Sequence, residues 1–470
     1  VVFSSPSFLF VFLPLTLALY FAVRGMALKN AVLLVLSLAF YAWGEPVMIA
    51  VMLSSIGFNY AAARWIDGRE GRTRSGALAV GIAANLAVLI VFKYANFLSA
   101  SAAALFGGLT GGMKRTQIAL PLGISFFTFH ALSYLIDVYR RRFAANRSLR
   151  EVALYIAFFP QLIAGPIVRY RTIAKRLHLR RHSWGRASAG LRMLVIGLAM
   201  KVLIADPFAP LADAVFDHAK APSLAAAWIG ALAYTIQIYF DFAGYSNMAI
   251  GLGLVFGFSL PRNFRLPYRS RSITEFWRRW HITLSAWFRD YLYVPLGGNR
   301  GSGAQTYRNL IVVFLLCGLW HGASWTFVLW GAWHGAFLVI ERMGLGLRLK
   351  AAPGVVGWVY AFGVVVFGWV LFRAPTLHAA AEVWRGMIGL NGAGGLGPDL
   401  TEVAAPGQAA LALIALALAI FGLRRPRWFR LPAWPRFYGL IDSGAVLALL
   451  LLCLLAVAGG GYSPFLYYRF

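Results

Sequence analysis

The chain has 470 residues, 60% of them apolar and 13% charged, with a mean hydropathy of +0.69. Soluble domains carry about half apolar and about a quarter charged residues, so this composition excludes an ordinary soluble protein and points to a chain solvated by a bilayer. The net charge of +28 would suggest nucleic acid if the chain were soluble, but Lys and Arg here cluster in short stretches between apolar runs, the pattern that sets membrane orientation. The expected surroundings are membrane lipids, with no nucleic-acid partner.

Val1 to Val23 is apolar, without a preceding basic region or a clear small-residue cleavage site, and reads as a retained first helix rather than a signal peptide. Runs near or above the ~18–20 residues that cross a bilayer follow along the chain. Clear candidates are 7–23, 30–53, 76–97, 118–138, 224–258, 355–372, 408–423 and 443–460. The run 193–205 is shorter and carries Lys201; 49–63, 151–168, 309–320 and 323–341 are weaker candidates. No segment alternates over the length of a barrel strand, so helices are the spanning option left. The expected fold is an all-α polytopic membrane protein, one integral-membrane domain over 1–470 with a motif-rich core at 261–341. Apart from the echo of Trp320-His321-Gly322 in Trp333-His334-Gly335, no internal repeat is present.

Charge orients these runs. The basic stretches 64–74, 139–150, 169–192, 262–279 and 424–430 belong on the cytoplasmic side. The loop 206–217, with Asp206, Asp213 and Asp217, and the segment 374–407, with Glu382, Asp399 and Glu402, suit the far side. The run 151–168 has basic stretches on both flanks and Pro160 and Pro166 inside, so a re-entrant or in-plane segment is expected. The same parity problem arises at 309–341. At 1.5 Å per residue a continuous helix there would be about 50 Å long, too long for one crossing and short for two. Gly318, Gly322 and Gly331 interrupt it. Two half-length helices meeting at membrane depth are expected, where broken backbone is tolerated only if it is buried in protein or lines a cavity.

Polar residues at membrane depth are functional candidates. Asp241 shares a helix face with Gln237 and is expected to hold an inner Arg or His or to be neutral; support of the fold is favoured over catalysis. In 261–308, Arg, Trp and Tyr interleave without a spanning run, as in a helix lying in the interface. Its Arg278, Arg279 and Arg289 suit the phosphates of a nucleotide-type donor or equally those of lipid. Trp280 stands beside them as a possible substrate contact, and His281 near the mouth of a cavity or simply among interfacial arginines. Cys317 falls about one turn before His321. A thiol beside an imidazole suggests a nucleophile, although buried cysteines more often only pack; with Cys453 also in an apolar run, no disulfide framework is indicated.

His321 is the leading candidate. Desolvation favours a neutral imidazole, and a neutral ring can take the proton of an attacking hydroxyl; the alternative is a structural His bonding a carbonyl between helices. His334 is assigned a structural role. No metal-ligand cluster, phosphate-binding glycine loop or dinucleotide fingerprint occurs, so no metal and no tightly bound cofactor is expected.

Phe276-Trp-Arg-Arg-Trp-His281-Ile-Thr-Leu-Ser285, followed by Trp287-Phe-Arg-Asp-Tyr-Leu-Tyr-Val-Pro-Leu-Gly-Gly-Asn-Arg300, resembles the membrane-bound O-acyltransferase family. So do Leu319-Trp-His321-Gly, Pro121-Leu-Gly-Ile-Ser-Phe-Phe-Thr-Phe-His130, Phe158-Phe-Pro-Gln-Leu-Ile-Ala-Gly-Pro166 and Tyr239-Phe-Asp241-Phe-Ala-Gly-Tyr-Ser246. The resemblance covers almost the whole chain. It implies that His321 is the family's essential membrane-embedded histidine. It puts His281 on the second motif position, which is His in this bacterial branch and often Asn elsewhere. Asn247, where many relatives carry an acidic residue, and Arg262 and Arg265 depart from the pattern and bear on the substrate rather than the reaction. The implied architecture is a ring of tilted helices around a central tunnel. The implied reaction takes acetyl from a cytoplasmic donor, acetyl-CoA, across the bacterial inner membrane. Periplasmic partner proteins of the esterase type then O-acetylate a secreted polysaccharide. Cellulose, peptidoglycan or teichoic-acid D-alanylation are variants of the same chemistry. A transporter would show paired repeats, which are absent, and a scaffold for an export complex would not need an intramembrane His.

Overall fold

The computed structural model describes residues 3–105, 118–422, 435–459 and 465–466. No strand occurs among the described residues. Among the described residues four helices are long and apolar enough to cross a membrane: Met26–Gly44, Gly71–Leu105, Trp184–His218 and Gly354–Arg373. Shorter apolar helices are Phe8–Ala22, Ile124–Tyr139, Gln408–Phe421 and Ser443–Ala458. The basic stretch 424–430 lies outside the described residues. The chain forms two compact units, residues 1–191 with 249–261 and residues 192–248 with 262–469.

In the first unit the apolar run 30–53 is broken where Pro46 follows Glu45. A residue before proline is pushed out of the helical region; Glu45 has φ −140° and ψ 67°, and the next helix, Ile49–Asp67, starts beyond it. Two amides inside these apolar helices satisfy each other, Asn59 donating to Asn85 at 3.0 Å and Asn85 to Asn59 at 2.8 Å. The run 151–168 forms the short helices Leu149–Ala157 and Phe159–Leu162, broken at Phe158 with Pro160 in the first turn of the second. Nine residues rise about 14 Å, half a bilayer core at most. The segment is buried, and the Tyr155 hydroxyl donates to the Val168 carbonyl at 2.9 Å, folding it back on itself. It is thus a buried, broken segment whose helices are each too short to cross a bilayer.

In the second unit the acidic stretch 206–217 is helical, not a loop. It continues Trp184–His218 because its carboxylates are neutralised locally. Asp206 meets Lys201 Nζ at 2.6 Å, and Asp213 and Asp217 both pair with Arg373. Lys201 sits in a wide π turn, Met200–Ala205, and its Nζ also meets Asp241 at 2.7 Å. Asp241 in turn accepts the Leu466 N–H at 3.0 Å. The partner of Asp241 is therefore a lysine, not the Arg or His expected from the sequence.

The run 309–341 folds as a hairpin. Its first helix, Gly303–His321, is longer than the apolar run because Ser302 and Gln305 form a reciprocal capping box ahead of it. Gly322 and the next two residues turn the chain, and Trp325–Ile340 returns alongside. Gly318 and Gly331 allow the close approach, since a methyl at either would fall on the backbone carbonyl of Phe327 or Phe314. Gly318→Val is expected to lower stability by about 1–3 kcal/mol, read as a depressed Tm of the purified protein in detergent. An unchanged Tm would mean the helices can separate freely.

Candidate active site

The segment read as one interfacial helix is instead two short ones with a reversal between them. Ser272 Oγ accepts the Glu275 N–H at 3.0 Å and starts Ile273–Trp277. The Glu341 carboxylate accepts the N–H groups of Ile273 and Thr274 and the Thr274 hydroxyl, tying this helix to the end of the hairpin. After the turn at Arg278–Trp280, His281 begins Ile282–Phe288 in the left-handed region, φ 41° and ψ 54°. That conformation is uncommon outside glycine, costs roughly 1–3 kcal/mol and persists only where the surroundings over-determine it. Here they do. Arg265 N–H donates to the Arg279 carbonyl and Ile282 N–H to the Asn263 carbonyl, each at 2.9 Å, bracketing the turn.

His281 is fully buried. Its Nδ1 lies 3.1 Å from Asn263 Oδ1, and Phe242 meets its ring edge-on at 4.7 Å between centroids. The His321 ring is 6.4 Å away. His321 ends the first hairpin helix, and its ring is walled by Trp320, Trp330 and Phe372 at 4.9, 5.0 and 5.2 Å. Two imidazoles thus meet in a chamber of aromatic rings, where electrostatic and proton-transfer interactions are stronger than in water.

Beside this chamber lies a cavity of about 420 Å³ lined by Trp277, Arg278, Ser285, Arg289, Phe314 and Cys317, among others. Arg278 and Arg289 are exposed and Cys317 is buried, so the cavity runs from guanidinium groups outside to an apolar floor. Cys317 precedes His321 by one turn on the same helix. Trp277 lines the cavity and meets Trp330 at 5.7 Å, which in turn meets His321. A long donor with a phosphate-bearing end suits this polarity, because Arg binds phosphate bidentately.

The remaining sequence candidates lie elsewhere. Arg279 is turned to the Glu275 carboxylate at 2.7 Å and the Arg265 carbonyl at 3.1 Å. Trp280 is packed between Phe276 and Trp369, at 5.6 and 4.8 Å. His334 Nδ1 accepts the Trp277 indole N–H at 3.3 Å, and its ring stacks on Phe276. Asp241 belongs to the Lys201 cluster. Asn247 donates to Met200 Sδ at 3.2 Å, while Arg262 and Arg265 are exposed. Asn263, Trp330 and Phe372 were not anticipated. An Asn following a Pro-Arg pair carries no mark in the sequence that separates it from a loop residue.

The family model described as MBOAT, membrane-bound O-acyltransferase, matches residues 77–379, which include both histidines, the cavity and the hairpin. The chain belongs to the membrane-bound O-acyltransferase family. Among its relatives is a protein of Azotobacter vinelandii named probable alginate O-acetylase AlgI, 44% identical over 90% of this chain and 85% of that protein. A protein of the same name from Pseudomonas putida is 42% identical over the full length of both. The peptidoglycan O-acetyltransferase of Helicobacter pylori is 38% identical over 83% of this chain and 80% of its own. As a family member the chain is a membrane-bound acyltransferase. Of the segments that carry the resemblance, 276–300 and 319–322 supply His281, part of the cavity wall and His321.

Proposed function

We propose that this acyltransferase takes acetyl from acetyl-CoA on the cytoplasmic side of the bacterial inner membrane and passes it across for O-acetylation of a secreted, alginate-like polysaccharide, finished by periplasmic partner proteins. The observation that carries the reading is the pairing of His281 and His321 in one buried chamber, next to a cavity with arginines at its mouth. In this scheme the CoA phosphates rest on Arg278 and Arg289, and the thioester reaches past Cys317 towards His321. The acceptor hydroxyl attacks the thioester carbonyl, the new ester bond forms and the carbon–sulfur bond breaks. His321 takes the hydroxyl proton and returns it to the departing thiolate. His281 positions the donor, and His334 supports the aromatic wall. The similarity to alginate O-acetylases supports a polysaccharide acceptor. The similarity to a peptidoglycan O-acetyltransferase makes cell-wall glycan the second reading.

The donor assignment is tested with labelled acetyl-CoA and the purified protein. Arg278→Gln and Arg289→Gln together are expected to raise the donor KM several-fold more than they lower kcat. An unchanged donor KM would return both arginines to lipid anchoring. Arg279→Gln, at a residue that pairs with Glu275 and does not line the cavity, is expected to act on stability instead.

A further inference from the structure

Asn263, outside the segments 276–300 and 319–322, meets the His281 ring with a polar side-chain atom. Three groups converge on its Oδ1: His281 Nδ1 at 3.1 Å, the Thr283 hydroxyl at 2.9 Å and the Thr283 backbone N–H at 3.3 Å. The other amide atom, Nδ2, lies 3.2 Å from Ser246 Oγ. A backbone N–H can only donate, so the atom it faces is the amide oxygen, and an amide oxygen can only accept. His281 Nδ1 therefore carries the proton, and Nε2 is the nitrogen with the lone pair. Which ring nitrogen is protonated is set by the hydrogen bond that the other makes. An unconstrained neutral imidazole favours the proton on Nε2, so the site holds the less common form. Asn263 is itself 1% exposed, and its carbonyl accepts the Ile282 N–H. Backbone and side chain together grip the turn on which the strained His281 sits.

We propose that Asn263 is the positioning residue for His281, holding its ring in one rotation with the proton on Nδ1, so that Nε2 presents a lone pair to the acyl-transfer chamber. This rests on the reading that His281 acts in that chamber. The structural alternative, a cap for Ile282–Phe288 and nothing more, predicts different results.

The test uses the purified full chain in detergent, with ¹⁵N-labelled histidine rings assigned through His281→Gln, and steady-state acetyl transfer from acetyl-CoA. Asn263→Leu is expected to shift the His281 ring signals to the Nε2-protonated form. It should raise the donor KM and lower kcat, each several-fold, because a rotated His281 ring no longer positions the donor. Asn263→Asp keeps an accepting oxygen and is expected to restore the Nδ1-protonated signals and much of kcat. Should Asn263→Leu not fold, the Asn263→Asp spectrum decides: loss of the Nδ1-protonated form there would overturn the proposal. It is equally overturned if folded Asn263→Leu keeps the wild-type ring signals, whatever its kcat. Wild-type activity in His281→Ala would instead overturn the role of His281, a separate outcome.

Discussion

Replacing His321 with alanine is expected to lower acetyl transfer by about 10²–10⁴-fold, the range that general-base help supplies, while the protein still inserts and purifies. The expectation follows from where the ring is held. It closes the first hairpin helix, is 2% exposed and is enclosed by Trp320, Trp330 and Phe372, with His281 as its polar neighbour at 6.4 Å. His334→Ala removes a ring that accepts from Trp277, stacks on Phe276 and meets Trp330 edge-on, so its loss of activity should be far smaller and track its loss of stability. His281→Ala should fall between the two. Rates measured beside Tm separate chemistry from packing. A folded His321→Ala protein that acetylates near the wild-type rate would dismiss the mechanism and direct attention to His281 or Cys317.

Lys201→Met is expected to destabilise the protein by about 3–5 kcal/mol, because it strands two carboxylates that share one buried cation. Lys201 is 2% exposed and Asp241 1%, and their oxygen and nitrogen atoms are 2.7 Å apart. Methionine keeps the length and apolar stem of lysine, so the charge is what is removed. Adding Asp206→Asn and Asp241→Asn to Lys201→Met should recover much of the loss, since an apolar or neutral replacement of a whole buried ion cluster is often tolerated. Yield and Tm of the single and triple variants are the measurement. If the single variant melts like the wild type, the cluster is not the clamp described here.

The helical class, the breaking of 151–168 into short helices and the break at Gly322 were legible because each follows from length and from proline or glycine position. The charged cluster was not. Lys201, Asp206 and Asp241 look like two flaws in apolar runs and the start of an acidic loop, and only the approach of separate helices makes them one object. The 206–217 stretch was misread for the same reason: carboxylates whose cations arrive from Lys201 and Arg373 do not end a helix. The 261–308 segment misled differently. Interleaved Arg, Trp and Tyr describe an interfacial helix and equally a buried aromatic core with arginines at its rim. What decides between them is the turn at 278–281 and its pairing with Asn263, both set at long range.

The left-handed backbone at position 281 also limits what a mutational scan can say about that residue. Asn, Asp, His and above all Gly enter that region most readily, whereas β-branched side chains strain it. A saturation library there would rank substitutions first by tolerance of φ 41° and only second by chemistry. Loss of activity in a Val or Ile variant would measure a distorted turn. The His281→Asn exchange preserves the backbone preference while removing the ring, and so isolates the imidazole.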